Sequence, residues 1–100
     1  MKTIKVTFTD EIPKNYTGIV EYTNSDKVWY LDGERHRVDG PAVEYANCTK
    51  YWYLNDKLHR INGPACEWTD GYKLYYINGE RVTKEAQEVL YAMYKLKGIL

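Results

Sequence analysis

The chain has 100 residues with 14 basic and 14 acidic side chains, so its formal net charge is zero. That length allows one domain with one modest core, and the balanced charge lacks both the basic excess of a general polyanion binder and the acidic excess of a nucleic-acid mimic. Aromatic residues number 15, and 11 of them are tyrosine, a residue suited to half-buried sheet positions because its ring packs while its hydroxyl reaches water.

Residues 1–17 form an N-terminal strand and loop. From Lys2 to Phe8 polar and apolar residues alternate, which predicts a strand rather than a signal peptide. A loop around Pro13 follows. No segment approaches the ~20 apolar residues that span a bilayer. The expectation is a cytoplasmic protein with reduced cysteines, in the host cytoplasm if a phage encodes it.

Residues 18–82 read as three units of 23 residues. Val20-Glu21-Tyr22 maps onto Val43-Glu44-Tyr45 and then onto Cys66-Glu67-Trp68. The same shift carries Trp29-Tyr30-Leu31-Asp32 to Trp52-Tyr53-Leu54-Asn55 and to Tyr75-Tyr76-Ile77-Asn78. It also carries His36-Arg37 and Gly40-Pro41-Ala42 to His59-Arg60 and Gly63-Pro64-Ala65. Each unit holds a short strand, a polar turn, a longer aromatic strand (Lys50 to Leu54 in the second unit) and a tight turn. Asp32-Gly33 and Asn78-Gly79 are strong hairpin signals because a type I′ turn needs positive φ at both central residues; Asn55-Asp56 is a weaker pair at the same place. Gly-Pro then punctuates the chain before the next strand. The simplest product is an antiparallel meander of hairpins.

Residues 83–98 predict a helix. Thr83 can cap it, Glu85 sits in the first turn where negative charge is favoured, and Gly98 can end it. Ala86, Val89, Leu90, Met93 and Leu96 fall on one face at 3–4 spacing. The expected fold class is therefore mainly β with one C-terminal helix (α+β) in a single domain over 1–100. The helix should cover one sheet face or close the end of the array.

The unit Trp-Tyr-Leu-Asn/Asp-Gly-x-x-His-Arg-x-Asp/Asn-Gly-Pro-Ala resembles the MORN-like repeat variants of bacteriophage and bacterial proteins over residues 18–82. The resemblance implies a hairpin-based sheet used as a binding or assembly scaffold, with no catalytic residues to carry over. The third unit departs from it, with Val82-Thr83 in place of His-Arg, as a terminal repeat does.

The repeat also weighs single residues. Positions equivalent in successive hairpins lie two strands, about 9–10 Å, apart, whereas zinc ligands meet a common point at about 2.0–2.3 Å. Cys66 stands where Val20 and Val43 stand, and Cys48 where Ser25 and Gly71 stand. Neither a metal site nor a disulfide is expected, and no cofactor or catalytic residue. His36 and His59 are expected to brace the polar turn before Gly-Pro. Arg37 and Arg60 should pair with acids such as Glu44 or Glu67, or form a solvent-facing basic rim. The glycines read as turn residues, and Glu21, Glu44 and Glu67 as outward strand positions.

Strand alternation puts Trp29, Trp52 and Tyr75 on one face with Leu31, Leu54 and Ile77, and Tyr30, Tyr53 and Tyr76 on the other with Val28, Tyr51 and Leu74. A helix of about 14 residues, roughly 21 Å long, covers only one such face. The Trp ladder is the expected core. The Tyr ladder is the expected exposed face, with Tyr30, Tyr51, Tyr53, Tyr76, Arg37, Arg60 and Arg81 as candidate protein-binding residues.

The leading reading is a small non-enzymatic protein-binding module. By its resemblance it is a phage or bacterial accessory protein that occupies a host or phage protein, and by analogy an inhibitor of a host complex such as a CRISPR defence. A nucleotide or single-stranded nucleic-acid binder is the alternative, disfavoured by the zero net charge. A structural, self-assembling or homodimeric repeat protein is the third reading. No membrane partner is expected.

Overall fold

The computed structural model describes residues 1–99, and among these it holds eleven strands and one helix. In chain order the strands are β1 (Thr3–Val6), β2 (Gly18–Tyr22), β3 (Lys27–Leu31), β4 (Glu34–Arg35), β5 (Val43–Glu44), β6 (Lys50–Tyr51), β7 (Tyr53–Leu54), β8 (Lys57–Leu58), β9 (Cys66–Glu67), β10 (Lys73–Ile77) and β11 (Glu80–Val82). The helix, α1, spans Lys84–Leu96. The class is mainly β with one C-terminal helix. The main sheet runs β1-β2-β3-β5-β6-β9-β10-β11, with β4 on β3, and β7-β8 form a separate pair.

The first strand departs from an antiparallel arrangement. β1 pairs with β2 in parallel, Ile4 opposite Val20, so the sheet is mixed. Antiparallel partners need only a tight turn, whereas a parallel pair needs a long return connection. The loop through Pro13, with a 3-10 turn at Thr9–Glu11, supplies it. Gly18 closes the return: its φ is +144°, and a Cβ there would lie 2.6 Å from both the Lys2 carbonyl oxygen and the Tyr16 hydroxyl, so a side chain does not fit.

The expected continuous strand over Lys50 to Leu54 is split at Trp52. Its first half pairs with β5 and β9 and its second half with β8. Strands β3 and β10 divide their pairing in the same way without a break. All three tight turns have positive φ at both central residues, the Asn55-Asp56 pair (48° and 66°) included.

Two rows cross the sheet side by side. On one face the paired residues are Ile4, Val20, Val28, Val43, Tyr51, Cys66 and Leu74; on the other they are Lys5, Glu21, Lys27, Glu44, Lys50, Glu67 and Lys73. The second row alternates in sign at every step, which favours each cross-strand neighbour and pins the register. The first row contains the most buried side chains: Val20, Val28, Val43 and Cys66 are all under a tenth exposed. Val6, Tyr16 and Val20 form a core cluster, with Ile4, Ile12, Tyr22 and Tyr30 packed against it.

The core thus lies on the face that carries the Tyr ladder, opposite to the expectation. The N-terminal segment covers the Tyr30 end of that face. The Trp rings are half-buried and are covered by side chains of the intervening loops, as described below.

Helix α1 has the expected bounds and cap, with Thr83 Oγ1 accepting from the Ala86 N–H at 3.0 Å. Its packed face differs from the one the apolar spacing predicts. Gln87 is buried, and Leu90, Tyr91 and Tyr94 are half-buried, whereas Ala86, Val89, Met93 and Leu96 are exposed. The Gln87 amide donates at 2.6 Å to the carbonyl oxygens of Arg60 and Gly63. Those two bonds turn the helix by about a third of a revolution from its apolar stripe. Among the described residues, no helix is long and apolar enough to cross a membrane.

Candidate functional site

The residues that look most like a site in the sequence are used to hold hairpins together. His36 accepts a hydrogen bond at Nδ1 from the Asn55 N–H (3.0 Å). The flanking Arg35 carbonyl accepts from the Asp56 N–H (2.9 Å), and the Arg37 N–H donates to the Tyr53 carbonyl (3.1 Å). The same three contacts recur 23 residues on: His59 Nδ1 with the Asn78 N–H (2.9 Å), Leu58 carbonyl with the Gly79 N–H (2.8 Å), and Arg60 N–H with the Tyr76 carbonyl (3.1 Å). Each His therefore braces the turn of the next hairpin, not the turn before Gly-Pro. An imidazole that accepts at Nδ1 carries its proton on Nε2 when neutral. Burial lowers the pKa of His59 and so favours that neutral form.

The paired arginines complete these joints. The Arg37 guanidinium lies 4.0 Å from the Trp29 ring centroid and that of Arg60 lies 3.9 Å from Trp52. Each donates through Nη1 to a proline carbonyl, Pro41 or Pro64, at 3.1 Å. Beneath them lie Gly40 and Gly63, where an added Cβ would come within 2.8 and 2.7 Å of the guanidinium carbon. These two glycines leave room for an arginine stacked on a tryptophan, rather than serving as turn residues. Arg37 also pairs with Glu44 at 3.0 Å and Asp39 at 3.1 Å.

At the third such position Thr83 replaces the arginine and caps α1. Tyr75, in the place of the tryptophan, is covered by the helix through Gln87 and Tyr91 around a cleft of about 250 Å³. A wider cleft of about 540 Å³ opens at Trp29, lined by Ile19, Leu31 and Val38 among others.

The opposite face is different. Tyr45, Tyr51, Trp68 and Tyr72 form a row of rings with successive centroid distances of 5.5, 5.7 and 5.4 Å, the first two contacts edge-on. Such edge-to-face contacts match the ring quadrupoles. The row is open at both ends: Tyr45 is 38% and Tyr72 56% exposed. Beside it the Arg35 guanidinium sits 4.1 Å from the Tyr53 ring centroid, and Arg35 Nε donates to Asp56 Oδ1 at 2.6 Å. That bond holds the Asp56 carboxyl below the ordinary carboxylate range. Burial raises the pKa of Tyr30, Tyr45 and Tyr53, keeping their hydroxyls protonated and able to donate.

Of the expected binding residues, Tyr30, Tyr51, Tyr53 and Tyr76 share this face. Arg81 lies opposite Tyr76 in register. Arg37 and Arg60 do not join them, because they stack on the tryptophans of the other face. The sequence marks Asp56 as a turn residue and does not single out Arg35, although a signal exists: Asp56 interrupts the Gly33 and Gly79 pattern, and Leu58 interrupts Arg35 and Arg81. Tyr45, Trp68 and Tyr72 sit at the ends of short strands and in the turn beside them, where strand alternation gives no face.

Cys66 is buried, and burial pushes its thiol up to about 11, while Cys48 is exposed in a turn at φ +74°. Among the described residues no three His, Cys, Asp or Glu side chains gather to hold a metal. No protein-family model, curated protein or solved structure matches this chain.

Proposed function

We propose that this protein is a non-enzymatic protein-binding module, a MORN-like meander of three 23-residue hairpins that presents to a partner the ring row from Tyr45 to Tyr72, outside the core on the same face. The observation that carries this reading is the open aromatic row Tyr45–Tyr51–Trp68–Tyr72 with the Arg35–Tyr53 stack beside it. Tyr, Trp and Arg are the residues most enriched at binding hot spots, and contiguous exposed aromatic surface usually marks an interface. The recurring His and Arg contacts support the repeat reading, since one set of residues joins each hairpin to the next. By its resemblance the protein is a phage or bacterial accessory protein acting in the cytoplasm. It modulates a host complex by occupying one of its surfaces, and an anti-defence or anti-CRISPR role is one form of this. Single-stranded nucleic acid is less well supported, because Arg37 and Arg60 are engaged by tryptophan rings and carbonyls and phosphate contacts dominate such affinity.

The test compares capture of host proteins by the native chain and by a Tyr45→Ala/Tyr72→Ala double variant, read by mass spectrometry. Both side chains are partly exposed, so the variant should keep its circular dichroism spectrum and lose the partner. Equal capture by the folded variant overturns the assignment of this face.

A further inference from the structure

The two edges of the main sheet are finished differently. β11 carries the charged pair Glu80-Arg81 and leads directly into α1, a common way to blunt an edge. β1 is paired only by β2. That parallel pairing uses even-numbered residues: the Ile19 N–H donates to the Lys2 carbonyl (2.7 Å) and the Thr23 N–H to the Val6 carbonyl (3.0 Å). Alternation along the strand then turns the N–H and C=O groups of Thr3 and Lys5 outward. The next outward donor is already occupied, since the Glu11 carboxylate accepts from the N–H of Thr7 at 2.8 Å and from that of Phe8 at 2.6 Å. The open stretch therefore runs from Thr3 to Lys5, both exposed.

The two rows that cross the sheet end at this edge. The apolar row ends at Ile4, next to Val6. The charged row ends at Lys5 and contains four lysines against three glutamates. Among the described residues Lys5 pairs with Glu21 at 3.5 Å, an acid shared with Lys27 at 3.7 Å, and the Lys5 side chain is 80% exposed. The alternation leaves a place for an acid on its other side.

We propose that the β1 edge takes up an extended strand from a partner protein, with an acidic residue opposite Lys5 and apolar residues on either side of it, opposite Ile4 and Val6. Main-chain hydrogen bonds to Thr3 and Lys5 hold such a strand, while the side-chain pattern selects it. The apolar–acidic–apolar order reads the same in both directions, so the recognition does not depend on strand polarity. A second copy of this chain is a poor occupant, because its own β1 brings a lysine to the place where the row calls for an acid. This surface is separate from the tyrosine face and does not rest on that reading.

The experiment titrates the full-length ¹⁵N-labelled chain with the peptide Thr-Val-Glu-Val-Thr to millimolar concentration, with Thr-Val-Lys-Val-Thr as the control. The amide exchange of Thr3 and Lys5 is followed by NMR. The acidic peptide should slow exchange of the Lys5 amide and bind about fivefold more tightly than the lysine peptide, the size of a favourable against an unfavourable cross-strand pair. Lys5→Glu should invert that preference, and N-methylation of both the glutamate amide and that of the valine after it should abolish protection whichever way the strand runs. Absence of Lys5 protection at millimolar peptide, equal effects of the two peptides, or an unchanged preference in Lys5→Glu would each overturn the proposal. The Tyr45→Ala/Tyr72→Ala variant should bind the peptide like the native chain, so the two surfaces fail or succeed separately.

Discussion

The tryptophan side and the tyrosine side are built from similar residues and use them differently. On the tryptophan side the paired histidines and arginines have intramolecular tasks. His36 and His59 accept from turn amides, and Arg37 and Arg60 lie between an indole and a glycine while donating to a proline carbonyl. On the tyrosine side the rings contact one another, and the Arg35–Asp56 ion pair is tucked against Tyr53. The recurring His-Arg and Gly-Pro pairs belong to the first group, and Asp56, which stands where Gly33 and Gly79 stand, belongs to the second. The repeated His-Arg and Gly-Pro pairs thus mark a joint that is made more than once.

Damage to a joint should cost the most. Trp52 packs under Arg60 in the centre of the sheet, where its backbone N–H donates to the Ala65 carbonyl at 2.7 Å. Replacing it with alanine removes the platform for the guanidinium and should destabilise the fold by about 3 kcal/mol, a large part of the stability of a small domain. Gly63→Ala should follow at about 1–2 kcal/mol, because the new methyl group displaces Arg60 from the indole. Urea unfolding checks both. A loss for Trp52→Ala no larger than for Tyr45→Ala would erase the contrast between the two sides.

His59 sharpens the same contrast through pH. Its Nδ1 accepts the Asn78 N–H, so protonation of that nitrogen breaks the bond. Burial lowers the His59 pKa in the folded state below the ordinary imidazole value of about 6.5. Between the two values the unfolded chain binds more protons, so stability rises with pH there. The contribution of His59 is fully present above about pH 6.5 and is lost as pH falls through the folded-state value, with about 1 kcal/mol expected for the broken bond. His59→Asn, whose amide oxygen can accept in place of Nδ1, should flatten the profile between pH 5 and 7. An unchanged slope would show that His59 does not carry it.

Local signals read well in the sequence, and choices between competing contacts read poorly. The β-rich class, the three tight turns and the helix from its Thr83 cap to Gly98 follow from turn chemistry and capping, which act within a few residues. The packed face of α1 does not follow. Its apolar stripe predicts burial of Val89 and Met93, but Gln87 finds two carbonyls beyond the end of β8, and that decides the rotation. Which sheet face holds the core was illegible for a similar reason. Tryptophans usually signal a core, and here arginines stacked on them do part of the covering. The parallel pairing of β1 depends on the close approach of Gly18 to the Lys2 carbonyl, a long-range contact with no periodic trace.

The smallest expected change in stability concerns Asp56, and it separates the two sides most cleanly. At φ +66° an aspartate is a poorer turn residue than glycine, so Asp56→Gly should recover up to about 1 kcal/mol from the turn. The same change removes the Arg35 ion pair, whose side chains are 37% and 46% exposed and which is worth less than about 1 kcal/mol. The two effects oppose each other, and the midpoint of thermal unfolding should move by no more than a few degrees. Arg35 then loses the carboxylate that aims it across Tyr53, so partner capture should fall although stability does not. Asp56→Asn keeps an oxygen acceptor for the Arg35 Nε–H, and it should retain more binding than the glycine variant. If capture survives Asp56→Gly at native strength, the Arg35–Tyr53 stack is dispensable and the contact surface contracts to the ring row from Tyr45 to Tyr72.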